Sequence, residues 1–202
     1  MKRFGEKLKK NMTAFTFIAC MVVLGCLAVY YQYMKKEQME TEVRTPTTEV
    51  EKLIAKDLKT GYPETPTEVM KLWGRLNQCL YNASVDEEEF LSLLKQLRVM
   101  YSSDLLESNK EESHLSKLEE EVGEFKQDKS KIVSYSAEPA TSVEYKTIGG
   151  RECANIRISY FINNSGKYAK SYQDFILVNE DDKWKILGFQ AAKQNQVTDK
   201  EE

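Results

Sequence analysis

The chain has 202 residues, 41% hydrophobic and 30% charged, with nine glycines and four prolines; this suits one ordinary domain with an appendage and excludes collagen-like or low-complexity material. A formal net charge of −3 lacks the basic excess of a dedicated nucleic-acid binder. One histidine and four cysteines leave little for a metal site or a histidine-based triad, so no metal and no cofactor are expected.

Charge is uneven along the chain. Lys2, Arg3, Lys7, Lys9 and Lys10 face only Glu6 near the start, which leaves the rest more acidic than the total. Residues 1–11 read as a short basic cytoplasmic N-terminus. No charge then occurs from Asn11 to Met34. A helix rises about 1.5 Å per residue and a hydrocarbon core is about 30 Å thick, so about 20 apolar residues span it. Residues 12–34 are therefore predicted to be a transmembrane helix with the lipid bilayer as partner. Tyr30, Tyr31 and Tyr33 would sit at the headgroup level. The basic flank keeps the N-terminus inside and exports the body, giving a single-pass plasma-membrane protein with an extracytoplasmic C-terminal domain. The alternatives are a cleaved signal peptide or a lipidated Cys26. Against them, the stretch has no Ala-x-Ala site, and Leu24 is bulky for a lipidation motif.

Residues 35–61 form a spacer, broken at Pro46 and followed by a capping box of Thr48 with Glu51. Val50, Leu53, Ile54 and Leu58 then make a short amphipathic helix that Gly61 ends. Its polar face is mixed in sign, which favours docking on the domain over lipid.

Residues 62–192 read as the folded domain. Thr65, Pro66 and Glu68 open a helix with Val69, Leu72, Trp73, Leu76 and Leu80 on one face as far as Asn82. A second helix starts at Ser84, with Phe90, Leu94, Leu97 and Tyr101 inward and acids in its first turn. A third starts at Asn109 and carries Leu115, Leu118, Val122 and Phe125. After Lys131 the apolar period becomes two. Val143, Tyr145 and Thr147 lead to a Gly149-Gly150 hairpin turn. Ala154, Ile156, Ile158, Tyr160 and Ile162 follow, then a turn over Asn163–Gly166. In the next strand Tyr172, Ile176 and Val178 share one face and Phe175 and Leu177 the other. Asp181-Asp182 turns into a last strand from Lys183 to Phe189. Helices followed by a meander predict an α+β domain with helices packed on one face of a curved antiparallel sheet. Residues 193–202 are a polar tail.

Three helices followed by hairpins that close on Phe175–Phe189 resemble the nuclear transport factor two-like (cystatin-like) superfamily. The resemblance implies a cone-like roll around a pocket, in a superfamily of isomerases, dehydratases, cyclases and non-catalytic binding modules. Asp57-Leu58, Tyr62–Val69 and Gly150–Ala154 are further similar to an uncharacterised family of membrane-anchored proteins of Gram-positive anaerobic bacteria. Neither resemblance supplies an activity.

Pocket candidates are Tyr160, Tyr172, Asp174 and Trp73, of which Asp174 alternates in phase with Tyr172 and Ile176. His114 reads as a surface residue because Leu115 takes the inward direction. Cys79 and Cys153 lie in the exported body, where a disulfide and two separate buried thiols are both open. No nucleophile elbow, phosphate loop or metal motif occurs, and no catalytic residue is assigned. The leading expectation is a membrane-anchored extracytoplasmic binding or scaffold module for a small-molecule or protein ligand, or for a second copy joined through the sheet. The alternatives are an isomerase- or dehydratase-like enzyme with a pocket acid, and a component of a cell-envelope assembly.

Overall fold

The computed structural model describes residues 48–192. The N-terminal segment, the span at 12–34, most of the spacer and the tail at 193–202 lie outside the described residues. Among the described residues no helix is long and apolar enough to cross a membrane.

Each helix begins where a side chain satisfies the free amides of its first turn. Helix α1 (Glu49–Ile54), α2 (Pro66–Asn82) and α3 (Glu87–Val99) start from capping boxes built on Thr48 with Glu51, Thr65 with Glu68 and Asp86 with Glu89. The third cap is Asp86, not the expected Ser84, because its carboxylate reaches the Glu89 amide at 2.8 Å. A short helix not expected from the sequence, α4 (Ser103–Ser108), is capped by the buried Ser102. Helix α5 (Glu111–Gln127) begins at Lys110 without a side-chain cap, where Asn109 was expected. Tyr101 is buried as expected, but beyond the end of α3, in a parallel bridge to Ile186.

The strands are β1 (Ser130–Ala137), β2 (Glu144–Ile148), β3 (Arg151–Asn164), β4 (Lys167–Glu180) and β5 (Lys183–Ala191). They form one five-stranded antiparallel sheet in the order β1-β3-β4-β5, with β2 also on β3. β2 pairs with the first part of β3 and β1 with the second, so a link through Glu138 and a 3-10 turn (Ala140–Ser142) separates them along one border. Gly149, Gly150, Gly166 and the Asp181-Asp182 pair all take positive φ, as tight hairpin turns require. Bulges between Ile132 and Ser134 in β1, and opposite Ile176 and Leu177 in β4, bend the sheet.

The core lies between one sheet face and the helices. Ala154, Ile156, Ile158 and Tyr160 of β3, Phe175 and Leu177 of β4, and Trp184 and Ile186 of β5 pack with Val69, Trp73, Leu76 and Leu80 of α2 and Leu93, Leu94 and Leu97 of α3. Part of each border of the sheet is engaged. Asn82 donates to Ile132 O at 2.7 Å and accepts from Ile132 N at 2.9 Å, and so acts as a strand neighbour for β1. Ile186 exchanges backbone bonds with Met100 O (2.7 Å) and Ser102 N (2.9 Å) at the border of β5. Gly74 of α2 lies against the Tyr135 ring of β1.

Candidate functional site

The face of the sheet turned away from the helices carries a groove of about 550 Å³. Two cross-strand rows form its floor, and hairpin register sets both. Glu144, Asn155, Ile176 and Gly188 stand opposite one another across β2, β3, β4 and β5. Arg157, Asp174 and Gln190 form the second row, and Glu138 enters it from the link between β1 and β2.

The second row is a fixed network. Arg157 donates from Nε to Asp174 Oδ1 at 2.6 Å and from Nη2 to Oδ2 at 3.1 Å, a bidentate pair. Its backbone N–H donates to Glu138 Oε2 at 2.9 Å, while Glu138 N–H donates to Arg157 O at 3.0 Å. The hydrogen bond to Asp174 holds the Arg157 guanidinium above its ordinary range. Both side chains of the pair are well exposed, so it fixes geometry more than it adds stability.

The first row is less satisfied. Asn155 Oδ1 is buried and has no hydrogen-bond partner. Among the described residues, the Glu144 carboxylate has no hydrogen bond or ion pair. Ile176 is 38% exposed, whereas the neighbouring Phe189 turns its ring to the helix side, stacked on Phe175 with centroids 5.1 Å apart and 5.5 Å from Trp73. A Cβ at Gly188 would meet nothing within 4 Å, so the missing side chain leaves the groove open there. Carboxylate and amide acceptors thus stand beside apolar surface, and the single guanidinium is already taken up by Asp174.

The four pocket candidates do not meet. Tyr160 and Trp73 are buried on the helix side of the sheet. Burial pushes the Tyr160 hydroxyl well above its ordinary pKa, and the nearby Trp73 indole draws it partly back. Trp73 Nε1 itself has no hydrogen-bond partner of acceptable geometry. Tyr172 and Asp174 lie on the opposite face, because Phe175 and Leu177, at 1% and 0% exposure, take the core. Asp174 therefore faces the outer groove, bound to Arg157. Its expected companion Ile176 points the same way.

His114 is half-buried rather than at the surface, stacked on Tyr101 with ring centroids 5.5 Å apart. Burial, with Arg98 close by, lowers its pKa. Cys79 and Cys153 are both buried free thiols, and only Cys79 belongs to the continuous core. Among the described residues no cluster of three or more histidine, cysteine, aspartate or glutamate side chains could hold a metal.

Sequence reasoning missed Glu138, Glu144, Asn155, Arg157, Gly188 and Gln190. A usable signal existed for part of the set. Counting back from Gly149-Gly150 places Glu144 opposite Asn155, and counting back from Ser165-Gly166 places Arg157 opposite Asp174.

No curated protein matches the sequence. The crystal structure of the intermembrane space region of chloroplast protein ARC6 is similar at 12% identity and a TM-score of 0.35, over 64% of this chain and 98% of that one. Over residues 1–189 the sequence matches the family described as Domain of unknown function (DUF6715), and the chain belongs to that family.

Proposed function

We propose that the chain is a single-pass, membrane-anchored binding module whose globular domain lies outside the cytoplasm and holds its ligand in the outer groove of the sheet. The anchor rests on the uncharged stretch at 12–34 behind a basic flank. The observation that carries the binding role is the groove, in which the exposed Ile176 stands in one row with a Glu144 carboxylate that has no partner among the described residues. Helices filling one side of a bent sheet support the finer reading as a cone-like, cystatin-like roll. An isomerase- or dehydratase-like mechanism needs an acid against an apolar wall; Asp174 instead completes a bidentate pair with Arg157, which favours binding over catalysis.

The test is a screen of cationic, anionic and neutral small molecules against the full chain in detergent micelles, read by backbone amide chemical shifts. Hits should move Asn155, Ile176 and Gly188 and be lost in Gly188→Leu. Hits that move only other amides, or that survive Gly188→Leu, overturn the reading.

A further inference from the structure

We infer that two copies of the chain join edge to edge through β2, antiparallel about a two-fold axis at Tyr145, so that each copy's Glu144 stands opposite the other copy's Lys146. This is independent of reading the groove as a binding site.

The border of β2 is open. Ile148 pairs with Arg151 across a two-residue turn in which Gly149 and Gly150 both take positive φ, so the pair flanking the turn is a hydrogen-bonded one. Pair type alternates along an antiparallel ladder. Lys146 and Glu144 therefore also bond to β3, while Tyr145 and Thr147 turn their N–H and C=O groups away from it. No described residue bonds to those four groups. Ile132 on β1 and Ile186 on β5 do have such partners, in Asn82 and the segment at Met100–Ser102. Every residue from Glu144 to Ile148 is exposed, Tyr145 at 53%.

Charge selects both the occupant and the register. A strand added here must bond through Tyr145 and Thr147, so a second β2 can centre on Glu144, Tyr145, Lys146 or Thr147. Centring on Glu144 opposes two carboxylates, and centring on Lys146 opposes two ammonium groups. Centring on Thr147 sets Lys146 against Ile148 and Glu144 against a turn glycine. Centring on Tyr145 instead pairs Glu144 with Lys146 twice on one sheet face, and opposite charges in cross-strand positions attract. Among the described residues neither Glu144 nor Lys146 has a hydrogen bond or ion pair within its own chain.

The same register makes the two Tyr145 residues a hydrogen-bonded pair. Their rings, each 5.6 Å from Trp184 of its own chain, then meet across the axis. Gly149 and Gly150 come beside the other copy's turn at Ala140–Ser142, and they bring no side chain to it. A five-residue strand is a small interface, so the dimer is weak and depends on concentration.

Sedimentation of the full chain in density-matched detergent micelles should show a monomer–dimer equilibrium. Glu144→Lys or Lys146→Glu alone should weaken it about tenfold, because each replaces two opposite-charge pairs by like-charge pairs. An equimolar mixture of the two variants should restore dimers, since every Lys then faces a Glu. Raised salt should weaken the unmodified dimer. Thr147→Pro removes an outward N–H that β3 does not use and should abolish the dimer. Gly188→Leu, which fills the groove at β5, should leave it unchanged. A chain that stays monomeric up to about 1 mM overturns the inference. So does a dimer that the single charge variants leave intact, that their mixture fails to restore, or that survives Thr147→Pro. Loss of the dimer in Gly188→Leu would put the contact in the groove and overturn it too. The charge variants lie at exposed positions, so their result stands even if the proline disturbs folding.

Discussion

Two helical glycines give opposite expectations for the same substitution. Gly74 lies in the middle of α2, and an added Cβ would come within 2.6 Å of Tyr135 Cε2 and 2.7 Å of Tyr135 Cγ. Gly123, on an exposed face of α5, would place a Cβ where nothing stands within 4 Å. Replacing a helical glycine by alanine gains about 0.8–1 kcal/mol from backbone entropy alone. At Gly123 that gain should appear in full. At Gly74 the ring must move or the helix must lift off β1, and overpacking of this kind costs about 1–3 kcal/mol. The propensity gain is common to both variants, so the difference between Gly123→Ala and Gly74→Ala isolates the packing cost, about 1–3 kcal/mol. Urea titration of the full chain in micelles, followed by the fluorescence of the buried Trp73 and Trp184, measures both. Equal stabilisation by the two substitutions would refute the close approach of α2 to β1 as the reason for a glycine at position 74.

Three further expectations concern the rest of the molecule. Because burial and Arg98 lower the His114 pKa in the fold, the folded state prefers the neutral ring; stability should be full above about pH 6.5 and fall as pH drops below it, and the same titration on His114→Gln should lose that slope. Cys79 and Cys153 should resist alkylation in the folded protein and both react once it is denatured without reductant, as peptide mapping would show; label appearing only after reduction would contradict the free thiols. The full chain should stay with the membrane through alkaline carbonate washing, whereas recovery of intact protein in the soluble fraction would remove the anchor at 12–34 and the location that depends on it.

The helices were the most legible part of the fold. Thr65 with Pro66 and Glu68 is a cap that sequence and structure describe alike, and the apolar faces of α2, α3 and α5 follow directly from helical spacing. β1 was not legible. Its apolar residues are few, a bulge at Ile132 to Ser134 breaks their alternation, and Asn82, fifty residues earlier, supports its border. Helix α4 is short and buries none of its own residues, so it leaves no periodic trace. The two faces of β4 were legible, but which of them met the helices was not. Phe175, Ile176, Leu177 and Val178 are consecutive apolar residues, and a continuous run does not say which two face the core. The side that Asp174 takes was therefore open until the burial of Phe175 and Leu177 was seen. The groove was hidden because its two rows draw on four strands and a link, and the bulge in β5 shifts Gln190 opposite Asp174 by one position from simple turn counting.

Sheets without closure have two rims from which a foreign chain could continue the ladder. Here the Asn82 side-chain amide meets Ile132 on one, and the segment at Met100–Ser102 borders Ile186 on the other. Where β4 runs beyond its pairing with β5, Lys167 and Lys170 place charge along it. Asn82 and Ser102, neither of which touches the groove, thus take up at Ile132 and Ile186 the backbone groups on which an added strand would otherwise build.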